Sequence, residues 1–418
     1  MTVAQSQLAL NDVCESIVDC EHKTAPTQEE GHPSIRTPNI GRGRLALDGV
    51  NRVSDETYKL WTQRMEPRSG DLILAREAPV GNVAIIPKNM KVCLGQRTVL
   101  IRPDRRKVFP DYLVYLMLGD EIQGMLRAQS NGATVHHLNM KDIRGLRLPL
   151  LPSMEEQRRI ASILSAYDDL IENNTRRIAI LEEMARRIYE EWFVRFRFPG
   201  HENVRMVESE MGPVPEGWVA STLGQTAKYI NRGVAPKYDE TASGIVINQK
   251  CIRGQRLNLA EARCQSKSVS PDKLVRRGDV LINSTGVGTL GRVAQVQKEM
   301  KDCTVDTHVS IVRPGSNTDH DFFGIALLSM QPHFEAQGVG STGQTELSRG
   351  RIADTSVLLP SNDLQQCFGG LVGPMRQLAV TLQSKNTNLR TTRDLLLPKL
   401  ISGELDVSTL PEPEATAA

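Results

Sequence analysis

Apolar residues recur at alternating steps of four and three along two stretches of this chain, and the pattern predicts two long helices. From Ile160 the steps reach Leu164, Tyr167, Ile171, Asn174, Ile178, Leu181, Ala185, Ile188 and Trp192, and nine of the ten positions are apolar. In a chain that is 39% hydrophobic, such a run marks a seam with a period of about 3.5 residues, the spacing of helices that pack along one another. Ser153 with Glu156 three residues on supplies a capping box after Pro152, and Phe198-Pro199-Gly200 is the stop signal. The second stretch, stepped from Leu364, reaches Phe368, Leu371, Met375, Leu378, Leu382, Lys385, Leu389, Thr392 and Leu396, eight apolar out of ten. Gly369, Gly370, Gly373 and Pro374 predict a kink or a late start there. Helices lying singly on their own globules would show a wider apolar stripe and usually run about 8 to 20 residues. A narrow seam sustained over about 40 residues, or roughly 60 Å, instead predicts that the two helices pack on each other as an antiparallel coiled coil. Asn174 and Lys385, the polar exceptions at equivalent positions, are expected to meet and fix the register.

Outside the helices the chain contains its own sequence twice. Gly70-Asp71-Leu72-Ile73-Leu74 returns as Gly278-Asp279-Val280-Leu281-Ile282, Ile101-Arg102-Pro103 as Val312-Arg313-Pro314, and Leu151-Pro152-Ser153 as Leu359-Pro360-Ser361. Ser130 to Thr134 likewise corresponds to Ser341 to Thr345. A repeat offset near 210 residues is far longer than a solenoid unit of at most about 50, so the copies are domains. Short apolar runs predict strands over 71–75, 83–86 and 98–101 with a helix over 112–118, and again over 280–282, 293–296 and 309–312 with a helix over 322–328. The expected plan is mixed α/β, with a first domain over 1–152 and a first long helix over 153–198. A linker, irregular to residue 217, and a second domain then fill 199–361, ahead of a second long helix over 362–403 and a disordered tail over 404–418.

Composition sets outer bounds. A net charge of +2 does not by itself mark a nucleic-acid binder, so any basic surface must be local. The seven cysteines are scattered, with no C-x-x-C, which argues against structural zinc and for reduced thiols. Without a run of 18 apolar residues or a signal-peptide pattern, a cytoplasmic protein is expected.

Catalytic signatures are missing. Gly286-Val287-Gly288-Thr289-Leu290-Gly291 is formally G-x-G-x-x-G, but an alternating strand from Arg292 follows it rather than a helix, so it reads as a hairpin turn. Walker, zincin and serine-hydrolase motifs are absent, as is the N-P-P-[FY] or D-P-P-[FY] tetrapeptide of amino-methyltransferases. Asp19-Cys20-Glu21-His22 has no counterpart in the second copy, and His136-His137 reads as loop surface rather than a metal site.

Basic residues do recur at loop positions. Arg42 and Arg44, with Arg36 upstream, correspond to Arg253 and Arg256 with Lys250 upstream, and such pairs could clamp successive phosphates where a solvated turn is the plainer alternative. At the hairpin tips Ala75-Arg76-Glu77 faces Asn283-Ser284-Thr285, followed by Arg292 in the second copy. Changed tips on a kept scaffold suit two domains that read different bases, since Arg can pair with guanine, Asn with adenine, and Glu with the cytosine amino group. Gln96-Arg97 against Thr307-His308 is a second candidate rim, and the Ser130 to Asn139 loop with His136 against the Ser341 to Arg349 loop is a third.

These features together resemble the specificity subunits of type I restriction-modification systems. The resemblance is carried by Leu151-Pro152-Ser153-Met154-Glu155-Glu156-Gln157-Arg158-Arg159-Ile160, by Met211-Gly212-Pro213-Val214-Pro215-Glu216-Gly217-Trp218, by the two Gly-Asp strands, and by Leu396-Leu397-Pro398-Lys399-Leu400-Ile401-Ser402-Gly403-Glu404-Leu405. Ser361-Asn362-Asp363-Leu364-Gln365-Gln366 departs from the family's usual Glu-Gln pair. The resemblance implies two target-recognition domains reading the halves of a split double-stranded DNA target, with the helices setting the gap and docking two methyltransferase subunits. Restriction subunits would join them. It also implies that S-adenosylmethionine, ATP and magnesium belong to those partners and that this chain is not an enzyme. Two other readings stand beside it: a self-sufficient DNA methyltransferase or nuclease, against which the missing motifs speak, and a coiled-coil adaptor that binds proteins.

Overall fold

The computed structural model describes residues 8–130, 137–209, 211–337 and 346–410. Its contacts divide the chain into two units, Met1–Asn174 with Lys385–Ala418, and Thr175–Ser384. The long helices, Met154–Tyr189 and Asn362–Ile401, each give one part to either unit.

In the first unit, strands β1 (Cys14–Asp19), β2 (Leu72–Ala75), β3 (Val83–Ile85) and β4 (Thr98–Pro103) form an antiparallel sheet in the order β1-β4-β2-β3. Successive side chains of a strand point to opposite faces, and here both faces are covered. Leu72, Leu74, Val83, Ile85, Val99 and Ile101 pack into one core with helix α1 (Pro110–Leu118). Ile73, Ala75, Ala84 and Leu100 pack into another with Ile35, Ile40, Val92 and Leu94. Double burial is why these strands read as continuous apolar runs instead of alternating ones.

The recurring Gly-Asp and Arg-Pro dipeptides have one physical explanation. Asp71 opens β2, and Arg102 of β4 grips it with two parallel bonds, Nε to Oδ1 at 2.9 Å and Nη2 to Oδ2 at 2.7 Å. The remaining capacity of Oδ2 is used by the backbone N–H of Arg68. Gly70 and Gly278 take φ of +89° and +94°, a left-handed turn into the strand that glycine adopts without steric cost.

The first long helix starts with the capping box, Glu156 N–H donating to Ser153 Oγ and Ser153 N–H to Glu156 Oε2. Ile160 and Leu164 share the first unit's core with Leu397 and Leu400 of the second long helix. Further along, Asp168 pairs with Arg393 and accepts a bond from Tyr115 Oη at 2.7 Å. Asn174 then donates to Asn386 Oδ1 at 2.9 Å, and Asn386 donates to the Ile171 carbonyl at 3.2 Å. As residue numbers rise from 168 to 174 on one helix they fall from 393 to 386 on the other, so within this unit the two segments run in opposite senses.

The second unit repeats the plan with β5 (Ala227–Arg232), β6 (Val280–Asn283), β7 (Val293–Gln295) and β8 (Val309–Pro314) in the order β5-β8-β6-β7. Arg313 grips Asp279 through the same atoms, both at 2.8 Å. Gln365 bonds the Pro360 carbonyl and receives the Asp319 N–H, as Gln157 does with Pro152 and Phe109. The departure at the start of the second helix therefore keeps its glutamine. Ile178, Ala379 and Leu382 form one patch where the helices meet, and Tyr189, Phe193, Phe322 and Phe368 form an aromatic cluster beside it.

Several expectations are corrected. The partner of Asn174 is Asn386, while Lys385 is exposed. Leu371 and Leu378 are 43% and 39% exposed, and Val372 and Ala379 occupy the seam in their place. The glycines and Pro374 neither delay nor interrupt the second helix, which runs unbroken from Asn362. A Cβ on Gly369 would come within 2.5 Å of the Asp319 carboxylate and one on Gly373 within 2.9 Å of Asp321 Oδ2. Both glycines thus face helix α2 (His320–Ser329) and admit its acidic start, where Arg376 pairs with Asp321 at 2.7 Å. The first helix ends as α-helix at Tyr189 and continues as a wide turn over Glu190–Val194, short of the expected 198. The linker contains a hairpin, Met206–Ser209 with Gly212–Pro215. Of the expected tail, 411–418 lies outside the described residues, but Val407 is buried in the first unit's core and Arg159 donates to the Val407 and Ser408 carbonyls.

Asp279 is 1% and Arg313 7% exposed. Arg313→Ala strands a buried carboxylate and is expected to cost about 3 to 5 kcal/mol, whereas Asp279→Leu with Arg313→Met removes both charges and recovers most of that loss. Denaturant unfolding of the variants checks this, and equal destabilisation by the single and double changes contradicts it.

Candidate nucleic-acid interface

With both sheet faces covered, each sheet can display varied side chains only at its ends. In the first unit the pairings Asp19 to Val99 and Ala75 to Thr98 bring the end of β1, the end of β2 and the start of β4 to one edge. Arg76, Glu77, Gln96 and Arg97 follow or precede these strands and so gather there with Asp19, His22 and His137.

A linear polar network joins them. Arg76 is 5% exposed; its Nη1 contacts both Asp19 oxygens at 2.8 and 2.6 Å, and its Nε donates to the Leu138 carbonyl at 2.8 Å. Its Nη2 lies 2.6 Å from His137 Nε2. Guanidinium groups only donate, so His137 Nε2 accepts and the ring proton sits on Nδ1, 2.7 Å from Glu77 Oε1. Glu77 Oε2 in turn pairs with Arg97 Nε at 2.9 Å. At the other end Asp19 contacts His22 Nε2 at 2.9 Å, and Gln96 donates to the His22 carbonyl. Asp19, Cys20 and His22 bring possible ligand atoms within 4.8 Å of one another, but Arg76 already supplies the cation at Asp19.

The second unit keeps the backbone of this edge and changes its side chains. Arg76 N–H donates to the Arg97 carbonyl and Leu138 N–H to the Arg76 carbonyl; Ser284 and His308, and Leu347 and Ser284, make the same two bonds. These bonds equate Arg76 with Ser284, Arg97 with His308, Leu138 with Leu347, and Glu77 with Thr285. Thr285 Oγ1 lies 2.6 Å from His308 Nδ1. Arg232, from the end of β5, donates to the Leu347 carbonyl and pairs with Glu346. An arginine therefore reaches the same leucine carbonyl in both copies, from β2's end in the first and from β5 in the second. Behind His308, burial pushes the Asp306 carboxyl up from its ordinary value, while Asp306 accepts the His308 N–H at 2.8 Å.

The sequence candidates divide accordingly. Arg36, Arg42, Lys250, Arg253 and Arg349 are exposed, and Arg36 lies against Gly95 beside the first edge. Arg44 pairs with Asp169 at 2.5 Å and Arg256 with Glu182, each tying its tight turn to the first long helix. Arg76 is likewise a buried brace rather than a free reader. Asn283 and Ser284 are fully buried; Asn283 donates to the Gln249 and Thr289 carbonyls, and Ser284 bonds Ser310. Arg292 closes the Gly286–Gly291 turn by donating to the Gly288 carbonyl. His136 lies outside the described residues. The loops carrying His137 and Glu346 were a candidate rim in the sequence, whereas Asp19 and Arg232 had no part in it and owe their place at the edge to strand register.

Arg76→Ala removes the brace and is expected to cost the first unit about 2 kcal/mol and to speed amide exchange at Leu138. Arg76→Lys, which keeps a charge for Asp19 but not the fork, recovers only part; unchanged exchange at Leu138 in Arg76→Ala contradicts the bracing role.

Residues 7–183 match the family model for the type I restriction modification DNA specificity domain. The chain is 27% identical over 372 residues to the MjaIX specificity subunit, a type I restriction enzyme subunit of Methanocaldococcus jannaschii, covering 87% of this chain and 83% of that one. It is 21% identical over 410 residues to the HindI specificity subunit of Haemophilus influenzae, covering 81% and 87%. The crystal structure of the S subunit of a type I restriction-modification system from M. genitalium superposes with a TM-score of 0.61 at 16% identity, over 96% of this chain and 98% of that one, and shares its fold.

Proposed function

We propose that this chain, whose residues 7–183 match the type I restriction modification DNA specificity domain, belongs to that specificity family and is the subunit through which such a complex reads a bipartite DNA target, one half by each unit. Members of the family are non-catalytic, and this chain steers a reaction that other subunits perform. The observation that carries the reading is the repeated sheet edge: the same backbone bonds place Arg76 beside Arg97 in one copy and Ser284 beside His308 in the other, and the next residue, Glu77 or Thr285, touches the side chain of Arg97 or His308. Kept geometry with exchanged hydrogen-bonding groups is what two readers of different base sequences require. Exposed Arg36, Arg42, Lys250 and Arg253 supply the sequence-independent attraction to phosphates.

The long helices, of 36 and 40 residues or about 54 and 60 Å, act in this reading as an antiparallel coiled coil that sets the gap between the half-sites. They also dock two methyltransferase subunits, which bring S-adenosylmethionine. Restriction subunits bring ATP and magnesium. Ile180, Met184, Leu371 and Leu378 support the docking role, because they are apolar and 39 to 59% exposed on helix faces that a partner could cover. No helix among the described residues is long and apolar enough to cross a membrane.

Methylome sequencing of the source genome is expected to show an adenine-methylated motif in two specified parts separated by unspecified bases. A continuous motif assigned to this system by deletion of its gene contradicts the two-reader proposal. Ile180→Glu with Leu371→Glu is expected to weaken co-purification with the methyltransferase subunit about tenfold or more while leaving the melting temperature of this chain unchanged; unaltered co-purification removes the docking role of this face.

A further inference from the structure

We propose that Arg97, oriented by Glu77, is the side chain through which the first unit selects a guanine, and that His308, oriented by Thr285, holds the same reading position in the second. This rests on the DNA-recognition reading above and names the residue pair that carries its specificity.

Two observations point to this pair, and a third points to Arg97 alone. The first is equivalence. Residues 97 and 308 enter the corresponding strands β4 and β8, and each gives its carbonyl to the residue just after the neighbouring strand or at its end, Arg76 or Ser284. One residue further on, Glu77 or Thr285 contacts the side chain of Arg97 or His308. The chemistry of both partners changes between copies while the contact is kept, so the two positions vary as a pair.

The second is exposure joined to restraint. The Arg97 side chain is 59% exposed, whereas that of Glu77 is 14% exposed and is also held by His137. A reader must reach the groove without losing its orientation, and an exposed guanidinium held at its base by a half-buried carboxylate meets both demands. Glu77 engages Nε, and a contact there leaves the Nη1/Nη2 fork for a bidentate partner such as guanine O6 and N7. In the second copy Thr285 engages Nδ1 of His308, which leaves Nε2. If the threonine hydroxyl donates, Nε2 carries the proton and donates to a base; if it accepts, Nε2 accepts from an exocyclic amine. The tautomer set by Thr285 thus decides which base edge His308 matches.

The third is backbone strain. Arg97 has a φ of +67°, in the left-handed region that glycine occupies at far lower cost. Gly95, two residues earlier, shows that the same turn does contain glycine. A long charged side chain in a conformation that disfavours it points to a role for the side chain itself. Nearby alternatives are otherwise engaged: Arg76 is buried in the brace, and Gln96 donates to the His22 carbonyl.

The full chain, assembled with its methyltransferase subunit, is presented with duplexes randomised across the target, and bound sequences are counted for the wild type, Arg97→Ala, Glu77→Gln and Arg36→Ala. Arg97→Ala is expected to lower preference for guanine at one base pair of one half-site by about tenfold or more, leaving the other half-site intact. Glu77 is a positioning residue: Glu77→Gln is expected to relax that same base pair by a smaller factor, with a normal melting temperature. Arg36→Ala is expected to weaken all sequences alike. A uniform loss in Arg97→Ala makes Arg97 a phosphate contact, and an unchanged profile leaves it no reading role; either overturns the inference while the two-reader function stands. If the wild-type assembly selects no split sequence, the recognition reading itself fails and takes the inference with it.

Discussion

Both faces of each four-stranded sheet are buried, and that constraint organises the rest of the molecule. Leu72 and Leu74 point into a core shared with helices, while Ile73 and Ala75 point into a second core on the other side. No position along β2 can change polarity without opening a core, so variation in exposed side chains is confined to strand ends. The Asp71–Arg102 and Asp279–Arg313 forks sit at the opposite end of β2 and β6 and tie each to the neighbouring strand. Their bonds hold each strand pair in one register, and a slip of one residue would exchange the two cores. A sheet locked at one end and fully packed along its length delivers the residues after Ala75 and Asn283 to a constant place, whatever those residues are.

The helices follow a related logic with different chemistry in each unit. In the first, Asp168 with Arg393 and Asn174 with Asn386 place polar pairs inside an apolar seam. In the second, Arg376 meets Asp321 beneath a helix whose glycines admit close approach. Burying these groups costs desolvation, and an apolar seam of the same volume would be at least as stable. What the pairs add is discrimination among registers, since a helix displaced by one turn would leave Asn174 or Asp168 facing hydrocarbon.

Much of this was legible in the sequence. The repeat anticipated two four-stranded sheets of the same strand order, and the alternation from Ile160 marked residues that are buried or half-buried, including Tyr167, Leu181 and Ile188. The same stepping failed on the second helix because its buried stripe shifts by one residue, from Phe368 to Val372 and then Ala379, Leu382 and Asn386. A fixed four-three frame begun at Leu364 cannot follow that shift, and it places Leu371, Leu378 and Lys385 in a seam they do not line. Glycine spacing misled for another reason: Gly369 and Gly373 lower intrinsic helix propensity, but what decides the matter is the tertiary contact with Asp319 and Asp321 that only a missing Cβ allows. At the candidate interface, residue type suggested Arg76 as a reader. Its burial depends on Asp19 and Leu138, which lie 57 and 62 residues away in sequence, and no local pattern conveys that.

The brace itself shows how two copies of one fold can diverge at a site that must stay rigid. Leu138 and Leu347 occupy equivalent places, and each carbonyl receives an arginine, from position 76 in one copy and position 232 in the other. Moving the arginine between strands requires more than one substitution, because a lone Asp19 without Arg76 would lose its buried cation and a second arginine opposite Arg76 would meet like charge. Once the brace is supplied from the first strand, however, the residue after the hairpin strand is released from that duty and can be as small as Ser284. The first unit keeps its hairpin arginine in the scaffold and leaves display to Arg97; the second takes its scaffold arginine from β5 and displays His308. Rigidity and display are thus carried by different residues in both units, which is the condition under which the displayed side chain can change without unfolding the edge that presents it.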